Sequence, residues 1–497
     1  MKKNIYISSL LFLGVLGLSS CNSWFEVTPV SEVRGEQHFK AVKGFQQSLT
    51  GCYIALSDNS LYGKQLSWYL PEIIAHQYRE VIAESDKALF NHKYKDKTVW
   101  NDIESIWNKM YNVIVNANDG LIQLEERKNS LTAMEYALIK GEFLALRAYV
   151  HLDLLRYFGL SGYSTRVGEL SVKPSIPYVM GLNKTPAKQF TGAELYQALM
   201  KDLDEAVELL KEYDPVVSDK HDAELKSINI DGYYSNRNLK LNYYAVRALQ
   251  ARAAMWFGTP EAMDKALDAA AEVVAASDAN TLVKNASVKT VIRLQKAGEI
   301  TTNNCSFSTE ALFCLDAPKL DGVAQQYFKI NPDLGDETAL VLTSERVNQL
   351  FGGYEADVRL SKVLLRNSAQ TYTSLKYSSR DQVNNRVNMI RLPEVYFILA
   401  EVQLHKGKKK EAVTLLNTIR HLRGISANVE ESIKEEGLRE LLFNEYEREF
   451  IGEGVLFFQQ KRLAKKTIPQ LSEGQTMGDT QYVLPFPDLE TSYGRIQ

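Results

Sequence analysis

The chain has 497 residues, 45% of them hydrophobic, and a formal net charge of −3 from 58 basic and 61 acidic side chains. This length suits two or three domains with a sizeable core, and the charge balance excludes the basic surface that nucleic-acid binding needs. The seven histidines show no zinc-ligand spacing. The chain also lacks a nucleophile elbow, a phosphate-binding loop and a Cys-x-x-Cys pair, so it predicts neither a metal nor a cofactor.

The first 25 residues predict an export signal with a lipid anchor. Two lysines precede the apolar run Ile5–Leu18, which is too short to span a bilayer but suits a signal peptide. The run ends in Leu-Ser-Ser-Cys, which resembles the lipobox of bacterial lipoproteins and implies acylation of Cys21. The alternative is an ordinary secretory signal with a coincidental cysteine. We expect a signal peptide over residues 1–20 and a lipidated tether over residues 21–35.

The rest of the chain predicts amphipathic helices in pairs. Apolar residues at helical spacing predict a helix through Ile103–Ile114. The next helix runs from about Thr132 to Phe158 and ends at Gly159, a residue typical of helix ends. A third helix begins after Thr191, which is a good N-cap residue.

Two segments predict helical hairpins. In residues 241–275 an alanine-rich helix ends at Gly258, and Pro260 occupies the first turn of the next helix. In residues 395–422 the turn lies at residues 406–408. Such hairpins look like tetratricopeptide units that stack side by side. We therefore predict an all-α dominated fold, with a tetratricopeptide-like helical hairpin scaffold, long irregular loops and a few short strands.

Long turn-rich segments lie between the predicted helices, and loops of such length are usually functional. They cover residues 160–189, 213–238, 277–304, 316–337 and 367–386. Short strands are expected over residues 311–315 and 371–377.

The cysteines beyond Cys21 allow at most one internal disulfide. They are Cys52, Cys305 and Cys314. Cys305 and Cys314 are the plausible pair in an exported protein. The equal alternative is that all three are small buried hydrophobic residues.

Two charged helices could suggest catalysis. Glycoside hydrolysis needs only a pair of carboxylic acids, which sequence alone does not exclude. The acidic run Glu445–Glu449 instead favours a solvated face or local pairs, such as Arg448 with a nearby acid. A structural ion-pair network is likewise expected for the charged residues of the Thr132–Phe158 helix, which are Glu142, Arg147, Asp153 and Arg156.

Aromatic residues are numerous, with 26 tyrosines, 19 phenylalanines and 5 tryptophans. Trp107 and Tyr111 lie on or near an apolar stripe and are expected in the core. Rings in poorly periodic sequence are better placed to stack on a ligand, with polar neighbours to bind hydroxyl groups. The predicted ligand-binding residues are Trp68, Tyr69, Tyr78, Phe90, His92, Tyr94, Trp100 and Asn101.

Three separated blocks together resemble the SusD/RagB family of nutrient-binding outer-membrane lipoproteins. The first is Trp24–Pro29 with the helix that follows it, and the second is Gly141–Gly159. The third is C-terminal and includes Arg391–Tyr396, Leu416–Arg420, Glu445–Phe450 and Leu484–Pro487. The chain departs from the family pattern at Phe457–Arg462, where a Trp-Phe-Asp-like run is more usual.

The resemblance implies a lipid-anchored, surface-exposed outer-membrane protein that binds glycan without cleaving it. It also implies delivery of the polysaccharide or oligosaccharide to a SusC-like TonB-dependent transporter. Residues 36–240 would form a SusD-like N-terminal region with hairpins and ligand-binding loops. Residues 241–497 would form tetratricopeptide-like hairpins and the C-terminal region. The family's binding residues match here only as a region, Tyr78–Asn101.

Two other functions stay open from the sequence. One is a surface enzyme that degrades glycan, which the missing nucleophile and metal motifs disfavour. The other is a structural helical-repeat adaptor of a transporter complex, which the aromatic-rich irregular segments disfavour.

Overall fold

Helices make up most of the computed structural model, which describes residues 38–80, 83–182, 185–328, 340–367, 369–377, 385–494 and 496. The helices are α1 Val42–Leu56, α2 Leu70–Ile74, α3 Glu84–Phe90, α4 Trp100–Glu126, α5 Ala133–Phe158, α6 Val167–Leu170, α7 Gly192–Tyr213, α8 Asp222–Ile228, α9 Tyr243–Phe257, α10 Pro260–Asp278, α11 Leu320–Tyr327, α12 Ser344–Phe351, α13 Leu392–His405, α14 Lys409–Leu422, α15 Glu435–Glu449, α16 Val455–Arg462, α17 Asp479–Tyr482 and α18 Asp488–Ser492. The predicted all-α dominated class is confirmed.

Short strands form three antiparallel pairs. The strands are β1 Pro174–Pro177, β2 Gln189–Thr191, β3 Ala311–Asp316, β4 Leu364–Arg366, β5 Tyr372–Ser374 and β6 Arg386–Arg391. β1 pairs with β2, β3 with β6, and β4 with β5. Two of these strands, β3 and β5, lie in the segments where the sequence predicts them.

The scaffold is a row of antiparallel helices. Helices α4, α5, α7, α9, α10, α13 and α14 pack against one another in that order. Thr191 caps α7 as predicted, and Thr132 at the predicted start of α5 is also an N-cap; each accepts a hydrogen bond from the third residue of its helix. Gly258 adopts a left-handed φ of 69° at the turn between α9 and α10, which favours glycine. Both predicted hairpins are therefore confirmed.

The predicted division at residues 240–241 falls inside one continuous hydrophobic core, because α7 and α9 pack together across it. The division stays a prediction about regions. The predicted signal peptide and the tether with Cys21 lie outside the described residues. Among the described residues, no helix has the length and hydropathy to cross a membrane.

Cys52, Cys305 and Cys314 are all buried, and no disulfide joins them. The Cys314 thiol donates to the carbonyl oxygen of Asn238 at 3.4 Å, and burial raises the pKa of Cys314 to about 12. The predicted Cys305–Cys314 disulfide is therefore absent from the structure. The alternative, three buried hydrophobic cysteines, is confirmed.

The acidic run on α15 is buried, so the predicted solvated face is wrong. Glu445 and Glu449 are fully buried. The predicted local pair does form, with Arg448 Nη2 3.0 Å from Glu445 Oε1. The rest of the network comes from distant parts of the chain: Glu449 contacts Arg359, Arg391 and Arg423 at 2.7 to 3.1 Å. We call these residues the α15 ion network.

The charged residues of α5 also form buried pairs, as expected. Arg147 binds both carboxylate oxygens of Asp202 at 2.7 Å. Asp153 pairs with Arg156 and accepts a hydrogen bond from the Tyr62 hydroxyl at 2.6 Å. Glu142 pairs with the fully buried Arg237. These pairs tie α5 to α7 through Asp202 and to the segments that carry Tyr62 and Arg237.

Candidate functional site

A cluster of six aromatic rings joins three segments that are distant in sequence. Trp68 and Tyr69 end a π-helical turn, Gln65–Tyr69, that runs into α2. The Trp68 ring centroid lies 5.5 Å from that of Tyr327, 5.2 Å from Phe328 and 5.9 Å from Tyr377. Tyr78 contacts Phe328 edge-on at 6.2 Å. We call this the ring cluster, made of Trp68, Tyr69, Tyr78, Tyr327, Phe328 and Tyr377.

One edge of the ring cluster reaches solvent. Tyr327 and Lys64 are each partly exposed there. Lys64 Nζ donates to the Tyr327 hydroxyl at 2.8 Å and lies 4.0 Å from the centroid of Tyr69. The Tyr69 hydroxyl donates a hydrogen bond to Asp86. Burial, and to a smaller extent the charge of Asp86, raises the pKa of Tyr69. This edge combines aromatic surface with a fixed cation, and the buried Asp86 carboxylate holds the Tyr69 ring beneath it; an aromatic face beside a hydrogen-bond donor suits recognition of hydroxyl-rich ligands.

Two of the predicted stacking residues have no accessible face. Trp68 and Tyr78 are fully buried, because they pack at the centre of the ring cluster. Trp68 also donates its Nε1–H to the carbonyl oxygen of Gly63 at 3.2 Å. The expectation of exposed rings is therefore wrong for these two residues. Tyr69 lies beneath Lys64 at the edge, where ligand contact stays a prediction.

Three other predicted residues form a separate stack of rings. His76 stacks on Phe90 at 3.8 Å and on His92 at 5.2 Å, and Tyr94 meets His92 edge-on at 6.0 Å. The His92 Nε2 atom bonds the carbonyl oxygen of Ile74 at 3.0 Å. Burial lowers the pKa of His92 to about 4, so the ring is neutral at pH 7.

The polar atoms of this stack are already committed to the backbone. Tyr94 donates its hydroxyl to the carbonyl oxygen of Gln481, and His76 bonds the carbonyl oxygens of Phe90 and Pro469. The stack therefore ties residues 74–94 to the C-terminal segment. Phe90 and Tyr94 are buried, and His92 is partly exposed. Ligand contact by these three residues stays a prediction.

Trp100 and Asn101 lie apart from both groups of rings, at the start of α4. Asn101 is exposed and Trp100 is partly buried. Lys95 Nζ lies 4.3 Å from the Trp100 ring centroid and 2.6 Å from Asp488. The structure thus divides the eight predicted residues among three places. For Trp100 and Asn101, ligand contact stays a prediction.

The sequence-based prediction missed Tyr327, Lys64 and Asp86, which complete the edge of the ring cluster. The available signal was indirect: residues 316–337 stand out as a long irregular segment, and α11 with Tyr327 lies inside it. Nothing local in the sequence joins this segment to residues 64–69, because they are more than 250 positions away.

Glu72 is a carboxyl group beside the ring cluster whose pKa lies in the range suited to acid catalysis. Burial raises its pKa to about 7, against the lowering effect of two backbone amides. Those amides, of Gly452 and Gly454, donate to its two oxygens at 3.0 and 2.6 Å. The side chain is fully buried and both oxygens are occupied. Glu72 therefore holds the glycine turn in place and is not positioned to protonate a ligand.

We expect the free energy of unfolding to depend on pH because the pKa of Glu72 is raised in the folded state. Between pH 4.5 and 7 the unfolded state loses the Glu72 proton while the folded state keeps it, so stability falls as pH rises. The full effect is about 3 kcal/mol. Glu72→Gln has no titrating group at this position, so the free energy of unfolding of the variant relative to the parent should be larger at pH 8 than at pH 4.5. Urea unfolding at the two pH values measures this difference. Exposed Glu440→Gln is the control. A pH-independent difference for Glu72→Gln contradicts the assignment.

No group of three or more potential metal ligands occurs among the described residues.

Comparisons with known proteins agree with this architecture. Two family models match the chain. One, described as "Starch-binding associating with outer membrane", matches residues 24–220, and the other, the SusD family, matches residues 356–485. Together they cover more than half of the chain. SusD-like protein P38 from Formosa agariphila is 28% identical over 159 residues, which is 32% of this chain and 30% of that relative's length.

Solved structures share the fold over nearly the full length. A SusD superfamily protein from Bacteroides thetaiotaomicron is 21% identical with a TM-score of 0.69, covering 92% of this chain and 99% of its own. Surface glycan-binding protein A from the same organism, solved in complex with laminarihexaose, is 14% identical with a TM-score of 0.62, covering 92% and 98%.

The two matched blocks agree with the order of the sequence blocks described above, and the helical-repeat scaffold agrees with the fold of the solved relatives. The chain belongs to the SusD family.

Proposed function

We propose that this protein is a non-enzymatic, lipid-anchored outer-membrane protein that binds glycan at the cell surface. It delivers the glycan to a SusC-like TonB-dependent transporter. In this proposal residues 1–20 are a signal peptide, residues 21–35 are the tether, and residues 36–240 supply ligand-binding loops, to which the C-terminal region adds Tyr327. Residues 241–497 complete the helical scaffold.

The observation that carries the proposal is the exposed edge of the ring cluster. Tyr327 is partly exposed there, and Lys64 fixes its hydroxyl and covers the neighbouring Tyr69 ring. A ring held by its neighbours loses little conformational entropy when a sugar stacks on it. Charged groups beside the ring supply directional hydrogen bonds to sugar hydroxyls. The laminarihexaose complex of a relative with this fold supports glycan as the ligand class.

Replacement of Tyr327 tests the site. We expect Tyr327→Ala to weaken glycan binding by about 1 to 3 kcal/mol, because it removes the stacking face and leaves Lys64 without its hydroxyl partner. A glycan array identifies the ligand, and calorimetry measures its affinity for the parent and the variant. The matched control is Tyr136→Ala, because Tyr136 also bonds a lysine, Lys140 at 3.0 Å, but lies on α5.

The outcomes separate the candidate functions. Unchanged affinity in Tyr327→Ala, with a folded variant, rejects the site while leaving glycan binding in place. Release of shorter sugars by the parent protein rejects the non-enzymatic function. Failure to bind any glycan on the array favours the adaptor function.

The lipid anchor has its own test. We expect Cys21→Ser to move the protein from the membrane fraction to the soluble fraction, because the acyl chains that hold it are lost. The measurement is fractionation in high salt followed by immunodetection. Cys52→Ser is the control, because this cysteine is buried in the folded chain. Retention of Cys21→Ser in washed membranes contradicts the anchor.

A further inference from the structure

Helix α4 carries an exposed apolar strip that the proposed glycan site does not use. Val115 is 43% exposed, and Met180 and Leu182 are 51% and 49% exposed. Leu489 and Tyr493, both more than 60% exposed, lie on and just after α18. We call these five residues the α4 strip. Large exposed apolar residues that lie near one another on a folded domain mark a surface that something covers.

Two hydrogen bonds place the segment before Met180 along the face of α4 that carries Val115. The Tyr111 hydroxyl donates to the carbonyl oxygen of Pro177 at 2.8 Å, and Asn118 Nδ2 donates to that of Val179 at 3.0 Å. The segment 177–179 therefore follows one face of α4. Val115 lies on the same face, four residues after Tyr111 and three before Asn118. Met180 and Leu182 continue this segment beside it.

The other end of the α4 strip lies near the start of the helix. The Asp488 backbone N–H donates to Glu104 at 3.2 Å, which places α18 against the first turns of α4. Leu489 follows directly. From Glu104 to Val115 a helix rises about 17 Å.

The described chain begins close to this surface. Lys109 Nζ lies 3.4 Å from Asp58, just beyond α1, so the first residues of α1 point toward the C-terminal half of α4. His38 precedes α1 and lies near Asp119. Burial raises the pKa of the Asp119 carboxyl, and the charge interaction with His38 lowers it. Asp119 is one helical turn from Val115. The chain before His38 therefore starts beside the α4 strip.

The residues before His38 have the length and the chemistry to cover it. Val27 is 11 positions before His38, a reach of up to about 36 Å when extended. The segment Trp24–Val30 contains Trp24, Phe25, Val27 and Val30. The family model match begins at residue 24, so this segment lies within the matched region.

We propose that the segment Trp24–Val30 packs along the α4 strip. The occupant is part of this chain, and the strip is the apolar surface that receives it. One consequence concerns the membrane: with Trp24 fixed on α4, only two residues, Asn22 and Ser23, separate the body of the protein from the proposed lipid attachment at Cys21. The anchor would then hold the α4 side of the protein close to the bilayer.

Disulfide trapping tests the contact in the full chain. We expect Val27→Cys with Val115→Cys to form an intramolecular cross-link under mild oxidation at least about fivefold faster than Val27→Cys with Ile54→Cys, because docking raises the effective concentration. Ile54 is a fair control, since it is 65% exposed on the neighbouring helix α1 and within reach of the segment. Peptide mass spectrometry identifies which cysteines are joined. Equal rates, or cross-links only between two copies of the chain, overturn the proposal.

Limited proteolysis gives an independent readout. Arg34 is the only tryptic site between Lys3 and Lys40. We expect Val115→Asp to speed cleavage at Arg34 by about fivefold, because a charge on the strip releases the segment and local opening controls cleavage. Ile54→Asp should leave the rate unchanged. Both variants change exposed side chains, so the fold is retained. Equal cleavage rates for the two variants also overturn the proposal.

Discussion

Glu449→Gln is expected to lower the free energy of unfolding by about 3 to 5 kcal/mol, the range for breaking a buried ion pair from one side. Glu449 is fully buried, and its two oxygens accept hydrogen bonds from Arg359, Arg391 and Arg423. Burial by itself would raise the Glu449 pKa, but the three guanidinium groups hold it well below its ordinary value. Glutamine keeps the shape and removes the charge, so three arginines lose their shared counter-ion.

Urea unfolding of the parent and the variant measures this effect. The control is Glu435→Gln on the same helix, which removes an exposed pair with Arg439 and should cost less than about 1 kcal/mol. If Glu449→Gln gives too little folded protein for urea unfolding, the yield of soluble Glu449→Gln is compared with that of Glu435→Gln at two growth temperatures. A Glu449→Gln variant within about 1 kcal/mol of the parent contradicts a structural role for the network.

The helical scaffold could be predicted because its signals are local. The capping box of α5 joins Thr132 to Glu135, three residues apart, and the turn after α9 is fixed by Gly258 and Pro260. Each feature needs only the residues of one or two helical turns. The hairpins follow from these signals, because adjacent amphipathic helices bury their apolar stripes against each other.

The burial of α15 could not be predicted because its partners are distant in sequence. Alternating charges on a helix normally face water, and only Arg448 with Glu445 could be paired from spacing alone. Arg391 comes from the end of β6 and Glu310 from the residue before β3, and both reach the network when these strands pair. Long-range pairing of this kind has no local sequence signal.

The same limit explains the candidate site. The rings of Trp68 and Tyr78 lie in poorly periodic sequence, where exposure is a reasonable expectation, but Phe328 and Tyr377 pack over them. The exposed ring is Tyr327, whose position depends on α11 meeting the turn before α2. Sequence spacing indicates that aromatic residues are available, while tertiary packing decides which of them faces solvent.

Helix α16 contains a buried lysine whose positive charge is only partly compensated by its surroundings. It spans the part of the chain that departs from the family pattern, and Lys461 on it is fully buried. Its Nζ atom donates to the carbonyl oxygen of Tyr157 at 3.0 Å. Burial lowers the pKa of Lys461 well below its ordinary value, and the attraction of Asp479 only partly opposes this. A buried ammonium with a carbonyl oxygen as its partner costs stability.

Lys461→Met is therefore expected to raise the free energy of unfolding at pH 7 by about 1 to 3 kcal/mol, because the apolar chain fills the same space without the desolvation cost. The Tyr157 carbonyl keeps a second donor, the Leu484 backbone N–H at 3.1 Å. Below the depressed Lys461 pKa the unfolded and folded states both carry the proton, and the cost is complete. As pH rises from there toward 10.5, the folded state alone has lost the proton, so the parent gains stability and the advantage of Lys461→Met shrinks. Urea unfolding at pH 6 and pH 9 measures the stability difference between Lys461→Met and the parent, with exposed Lys220→Met as the control.

A loss of stability in Lys461→Met at pH 6 would show that the buried amine contributes more through its hydrogen bond than its desolvation costs.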